Sequence, residues 1–195
     1  MPLVLGLGNP GDRYANTRHN VGWSVVERLV SRWKAAPPPE TVPEYRGWRA
    51  EPAGREVHLM VPLTFMNRSG EALDAWRGRH EFEPGGLLVL VDDVYLPFGR
   101  LRFRASGSNG GHRGLESLET ALSTRDWNRL RIGVGAAASA EALGEHVLEA
   151  FDAEEMKAVD GLLERAADAA ECWCLEGLKQ AMNRFNRSEE EVSES

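Results

Sequence analysis

Pro2-Leu-Val-Leu-Gly-Leu7 is an unbroken apolar run that stops at Gly8-Asn9-Pro10-Gly11. The chain then crosses a polar stretch, Tyr14-Ala-Asn-Thr-Arg-His-Asn20, before apolar residues return at a different spacing. A strand that is apolar on both faces is covered on both faces, as in a parallel sheet flanked by helices. Val21, Trp23, Val25, Val26, Leu29, Val30 and Trp33 then recur with a helical period, so a helix is expected over about residues 20–34, ended by Pro37-Pro-Pro39. Strand, turn and helix in this order set an α/β reading. They also leave the polar stretch at the head of a helix, beside the end of a buried strand.

The rest of the chain repeats this logic. Residues 45–51 and 55–61 read as two strands joined by a turn at Pro52-Ala-Gly54, residues 62–67 as a loop and 69–82 as a helix. Leu87-Leu-Val-Leu-Val91 is a second wholly apolar strand, and it runs into Asp92-Asp93. Residues 99–104 and 129–135 alternate arginine with aliphatic residues, the pattern of strands with one wet face. Between them a glycine-rich loop, residues 106–114, leads into a helix expected over 115–122. From residue 140 onward the chain reads as helical, with the longest helix over 153–185. The expected fold is a single α/β domain over residues 1–187, a twisted mixed β-sheet surrounded by helices. An acidic, serine-containing tail, 188–195, is expected to be disordered.

Composition narrows the function classes. The formal charge is -7, yet residues 1–135 carry 18 Lys+Arg against 15 Asp+Glu, while residues 136–195 carry 5 against 15. The acid is confined to the C-terminal part, and all but Lys34 of the earlier cations are arginine, the better bidentate partner for phosphate. No apolar run approaches the roughly 20 residues of a membrane span, and no basic, apolar leader precedes the first strand, so a cytoplasmic protein without a membrane partner is expected. Cys172 and Cys174 stand two apart in a helical segment and point to different faces, so neither a disulfide nor a metal site is expected.

Loops leaving the carboxyl ends of parallel strands line the edge where open α/β sheets bind ligands. By this reading Asn9, Asn67 and Asp92 meet there, and His19 heads the helix that follows the first strand. A neutral imidazole accepts a proton near neutral pH, and a carboxylate on its other nitrogen orients it and stabilises the charged form. His19 with Asp92 fits that arrangement, the plain alternative being a helix-end histidine beside a strand-end cap. His112, in the glycine loop, is a further candidate; His58 and His80 are expected to face solvent, and His146 lies among acidic residues. No Ser or Cys sits at a strand-to-helix elbow, which leaves water as the nucleophile and hydrolysis as the reaction class. The glycines of Gly6-Leu-Gly-Asn-Pro-Gly11 formally match a dinucleotide-binding loop, but Pro10 and the polar stretch separate them from the helix, so a shaped turn is the better reading and an NAD-dependent oxidoreductase the weaker one. Arg100, Arg102 and Arg104 share one strand face, Arg129 and Arg131 another. If the strands are neighbours, the five guanidinium groups form one phosphate-binding surface, the alternative being a solvated face.

Six segments together resemble the bacterial peptidyl-tRNA hydrolase family over nearly the whole chain. They are Gly6-Leu-Gly-Asn-Pro-Gly11, Tyr14-x-x-Thr-Arg-His-Asn20, Pro62-Leu-Thr-Phe-Met-Asn67-x-Ser-Gly70, Asp92-Asp-x-x-Leu-Pro-x-Gly99, Gly107-Ser-x-Gly-Gly-His112 and Arg129-Leu-Arg-Ile-Gly-Val-Gly135. The resemblance implies a monomeric, cofactor-free enzyme that cleaves the ester between a peptide and the 3′ ribose of tRNA. It implies His19 as the general base, Asp92 as its carboxylate and Asn9 as the group that helps reject unblocked aminoacyl-tRNA. Tyr14, Phe65, Met66, Asn67, His112 and Arg113 would line the substrate site, reaching the peptide and the tRNA 3′ end at the acceptor stem, with Arg104 and Arg131 clamping the 5′ phosphate. Two departures stand out. Arg113 replaces the family's asparagine, exchanging a donor and acceptor for a donor only, and Ala136-Ala-Ala-Ser-Ala140 lacks the proline and basic residues of relatives. The first keeps a second reading in play, a non-catalytic RNA-binding relative.

Overall fold

Strands β1 (Leu3–Gly6), β2 (Tyr45–Ala50), β3 (Val57–Pro62), β4 (Leu87–Asp93), β5 (Leu101–Arg104) and β6 (Asn128–Gly133) form one sheet in the order β2-β3-β1-β4-β6-β5. The central four run parallel, and β2 and β5 close the two edges antiparallel. The computed structural model describes residues 1–37, 42–137, 139 and 141–186. The wholly apolar strands lie in the middle: β1 and β4 are buried throughout, because helices cover them on both sides.

One layer comprises α1 (Val21–Trp33), α5 (Ala153–Glu176) and α6 (Leu178–Phe185), packed on Val4, Leu59, Leu88, Leu90, Leu130 and Ile132. The other comprises α2 (Ser69–Arg77) and α3 (Arg113–Leu122), packed on Leu3, Leu5, Met60, Leu87 and Val89. Successive strand residues alternate between these two cores, as a pleated strand requires. A short α4 (Leu143–His146) lies between β6 and α5. Among the described residues no helix is long and apolar enough to cross a membrane. Cys172 and Cys174 are both free and both buried.

Element boundaries differ from the sequence reading where a side chain or a glycine acts on the backbone. The single helix expected over 153–185 is two helices, because Gly177 takes φ +87 and breaks the run. α3 starts at Arg113 instead of residue 115, because the His112 ring accepts the N–H groups of Gly114 and Leu115. α2 stops at Arg77, short of residue 82, with Gly78 as its C-cap. Helical structure expected from residue 140 begins at Leu143 in the described residues, and the acidic tail at 188–195 lies outside them.

α1 crosses the sheet close enough that only glycine fits at two contact points. A Cβ on Gly6 would overlap the carbonyl of Gly22, and one on Gly22 would overlap the carbonyl of Leu90. This approach brings the start of α1, and with it His19, against the ends of β1 and β4. Gly22→Ala is expected to destabilise the fold by about 1–3 kcal/mol by overpacking, read as a lower urea midpoint; an unchanged midpoint would show that the contact yields freely.

Candidate active site

The crossover helices of adjacent strands leave to opposite faces of the sheet: α1 follows β1 on one side, and α2 follows β3 on the other. Chain therefore splays apart at the carboxyl ends of β3, β1 and β4, and a crevice opens there. It holds a cavity of about 510 Å³, lined by Asn9, Tyr14, His19, Phe65, Met66, Asn67, Asp92, His112, Arg113 and Arg131 among others. Of the eleven residues to which the family resemblance gives a role, only Arg104 is absent from this lining.

His19 is held from a distance in sequence. Thr17 bridges to Ala150 in antiparallel fashion, the Arg18 N–H donates to the Glu149 carbonyl, and the His19 N–H donates to the Val147 carbonyl at 2.8 Å. Arg18 fixes this pairing: the residue is 5% exposed, and its guanidinium donates to the Ala150 carbonyl at 2.8 Å and pairs with Glu155 at 2.6 Å. Glu155 in turn closes the capping box of α5 with Asp152. The polar stretch and the α4–α5 connection thus form one unit.

At the cavity floor the Asp92 carboxylate receives two imidazoles. His19 Nδ1 lies 2.9 and 3.0 Å from its two oxygens, and His112 Nε2 lies 2.9 Å from Oδ1. The rings stand 4.9 Å apart. Burial pushes the Asp92 carboxyl up, but the two imidazoles outweigh it and hold the group well below the usual carboxylate range. The tautomers follow from the partners. His112 Nδ1 accepts the Gly114 and Leu115 N–H groups at 3.1 and 3.3 Å, so Nε2 carries the hydrogen and donates it to Asp92. His19 donates from Nδ1, which leaves Nε2 as a bare acceptor. The three ligand-type side chains lie within 4.8 Å of one another, yet the His112 nitrogen facing Asp92 is a committed donor, and the set does not fit a metal ion.

Asn9 is buried and oriented without ambiguity: its Oδ1 accepts the Met66 N–H at 2.8 Å, and its backbone is locked to Asn20 by two bonds of 2.9 Å. The Nδ2 group is left to the cavity. Met66 is buried, whereas Phe65 and Asn67 on either side of it are exposed at the mouth. Arg113 is exposed at the first turn of α3, and Tyr14 is half-buried under the Arg13 guanidinium.

β5 and β6 are neighbours, and their register sets Arg102 opposite Arg131 and Arg104 opposite Arg129. The five-arginine surface is nevertheless reduced. Arg129 is 1% exposed, lies over the Trp127 ring at 3.8 Å and donates to the Gly107, Ser108 and Arg125 carbonyls; burial pulls its pKa down to about 10. Arg100 donates to the Asn186 carbonyl at 2.6 Å. Arg102 and Arg104 stay exposed, and Arg131 lines the cavity with its Nε 2.8 Å from Asp93.

The expectation that His58 and His80 face solvent is overturned. His80 stacks on Trp76 at 4.4 Å, His58 packs edge-on to the same ring, and burial pushes His58 down. Both lie outside the cavity, as does His146, bonded to the Gly135 carbonyl. Sequence reading missed Tyr95, an exposed aromatic on the cavity wall whose only signal was its place just after Asp92-Asp93. It also missed Val147 and Leu148, for which no local signal existed.

A proton acceptor held by a buried carboxylate, at the carboxyl edge of an α/β sheet and beside exposed arginines, defines an α/β protein equipped for general-base chemistry on an anionic ligand. The comparisons with known proteins make this specific. Residues 3–193 match the model of the family described as peptidyl-tRNA hydrolase. The chain is 45% identical over 190 residues to the peptidyl-tRNA hydrolase of Desulforudis audaxviator (strain MP104C), covering 95% of this chain and 93% of that one. It is 44% identical over 188 residues to that of Synechococcus sp. (strain JA-3-3Ab), covering 95% and 83%. The crystal structure of peptidyl-tRNA hydrolase from Acinetobacter baumannii superposes with a TM-score of 0.88 at 32% identity, covering 95% and 94%. The chain belongs to the peptidyl-tRNA hydrolase family.

A carboxyl depressed in the folded state stabilises the fold above its unfolded pKa of about 3.9 and loses that contribution as pH falls below it. Asp92→Asn is therefore expected to cost at least about 1 kcal/mol more at pH 7 than at pH 3 in urea unfolding. A cost independent of pH would show that Asp92 is not held ionised by its imidazoles.

Proposed function

We propose that this chain hydrolyses the ester linking a peptide to the 3′ ribose of tRNA, with His19 as the general base and no cofactor. The observation that carries the reading is the His19–Asp92 pair: Nδ1 is tied to a buried carboxylate, and Nε2 stays free to take a proton in a cavity of about 510 Å³. Family membership supplies the substrate class.

Water, losing a proton to His19 Nε2, attacks the ester carbonyl carbon. The tetrahedral intermediate then expels the ribose oxygen, which recovers the proton from the imidazolium, and the peptide is left as a carboxylic acid that releases its proton to solvent and becomes the carboxylate. Asp92 stabilises the imidazolium while it exists. The Nδ2 donor of Asn9, oriented by its Oδ1 bond to Met66, meets the substrate near the reacting carbonyl and favours a blocked amine over a free ammonium. Tyr14, Phe65, Met66, Asn67 and Arg113 line the peptide and 3′-end side. Arg131 on the cavity wall and Arg104 on the neighbouring strand receive the 5′ phosphate of the acceptor stem. Arg113 donates to the developing oxyanion, a role open to a guanidinium, whereas proton acceptance is not. The working form is a cytoplasmic monomer acting on peptidyl-tRNA from stalled translation and releasing free tRNA.

Release of N-acetyl-aminoacyl groups from tRNA tests this directly. Wild type is expected to turn over the blocked substrate and spare the unblocked one, and His19→Ala to lose about 10²- to 10⁴-fold in kcat with tRNA affinity kept. Tight tRNA binding without turnover would overturn the proposal in favour of a non-catalytic RNA-binding role. Replacing both Arg104 and Arg131 by alanine is expected to weaken tRNA binding and to lower the log–log salt slope by about 0.9 for each phosphate that is no longer neutralised; unchanged affinity would refute the clamp.

A further inference from the structure

We infer that His112 is a positioning residue for the base: a tautomer-locked imidazole that shares the Asp92 carboxylate with His19 and so limits how strongly Asp92 holds a proton on His19. This assigns His112 a place behind the reacting groups, in contrast to the substrate contact implied by resemblance, and it rests on the reading of His19 as the base.

His112 is the N-cap of α3, and two backbone N–H groups point at its Nδ1. A proton on Nδ1 would face two donors, so Nδ1 is the acceptor and the ring hydrogen sits on Nε2. That hydrogen lies along the 2.9 Å contact to Asp92 Oδ1, the oxygen that also lies 3.0 Å from His19 Nδ1. The carboxylate side chain is 2% exposed, so no solvent competes for its lone pairs. Donation from His112 draws charge from the carboxylate and weakens its hold on the His19 imidazolium. A helix cap is thereby wired to the proton affinity of the residue beside it.

Other charges near His19 are already committed. Asp93 pairs with Arg131, and Glu155 with Arg18. Tyr14, Tyr95 and Arg113 are the remaining ionisable groups on the described cavity wall, and none is a carboxylate. Asp92 is therefore the anion through which His112 acts.

Two substitutions separate the cap from the donor. Asn in His112→Asn places its Oδ1 near the position of Nδ1, keeping the cap, but cannot reach Asp92; Gln in His112→Gln places its amide NH2 near the position of Nε2, keeping the donor and losing the cap. The His19 ring titration, followed by NMR, is expected to move upward in His112→Asn and to stay at the wild-type value in His112→Gln. The urea midpoint is expected to fall in both variants, through the lost donor to buried Asp92 in His112→Asn and the lost helix cap in His112→Gln, while only the first moves the His19 titration. With blocked aminoacyl-tRNA, kcat/KM of His112→Asn is expected to drop about threefold more at pH 5.5 than at pH 8, because a more basic His19 is protonated over a wider acid range. An unmoved His19 titration in His112→Asn, or an equal movement in both variants, would overturn the inference. Absence of turnover in the wild type would defeat the hydrolase reading alone, since the ring titration decides the coupling without it.

Discussion

The buried carboxylate of Asp92 is the constraint to which the other parts of the site answer. A charge inside a protein is costly unless it is paired and hydrogen-bonded, and removing one partner of such a group costs more than the pair contributes net. Asp92 is the penultimate residue of the central strand β4, with its side chain toward the α1 face, and both its oxygens are taken by imidazole N–H groups. To supply those donors, the polar stretch before α1 and the glycine loop before α3 converge on one strand end. Ring orientation, tautomer and the bare acceptor on His19 all follow from satisfying that carboxylate.

Around it the fold provides rigidity from both layers. Glycines at the β1–α1 contact let the helix descend until His19 is level with Asp92. Arg18, the residue before His19, is tied to the α4–α5 connection, so His19 is braced by a chain segment more than a hundred residues away. Asn9 is treated the same way, with its backbone locked to Asn20 and its oxygen to Met66. Side chains that face the cavity thus have their other atoms occupied by the scaffold, which is how such a cavity stays organised without a ligand.

The arginine face shows why residue type alone is a weak guide. The four guanidinium groups on β5 and β6 lie opposite one another in register, but Arg129 is a structural cation, stacked on Trp127 and spent on loop carbonyls. Its neighbours on the same face remain available because the α2–α3 layer packs on β1, β3 and β4, with β5 contributing no residue to that core. The net charge of -7 says little about this surface, since the acid gathers in the C-terminal part, where Arg28 and Arg32 already bind several of its carboxylates.

The sequence by itself determined the α/β class, the parallel centre of the sheet and the edge at which the site lies. Strands apolar on both faces can only be central, and the loops after them must share one end of the sheet. His19, Asp92, Asn9 and Asn67 were legible for that reason, since each sits a short, countable distance from such a strand. Tertiary structure alone decided which partners completed the site. That His112 caps α3 and bonds Asp92, that Arg129 is buried while Arg131 is not, that His58 and His80 pack on Trp76, and that residues 17–19 pair with 147–150 all depend on contacts between segments far apart in the chain. Periodicity reports which face of an element is covered, but not which distant side chain covers it. Hydrogen-bond satisfaction in a dry interior makes that choice, and it becomes visible only when the whole chain is folded.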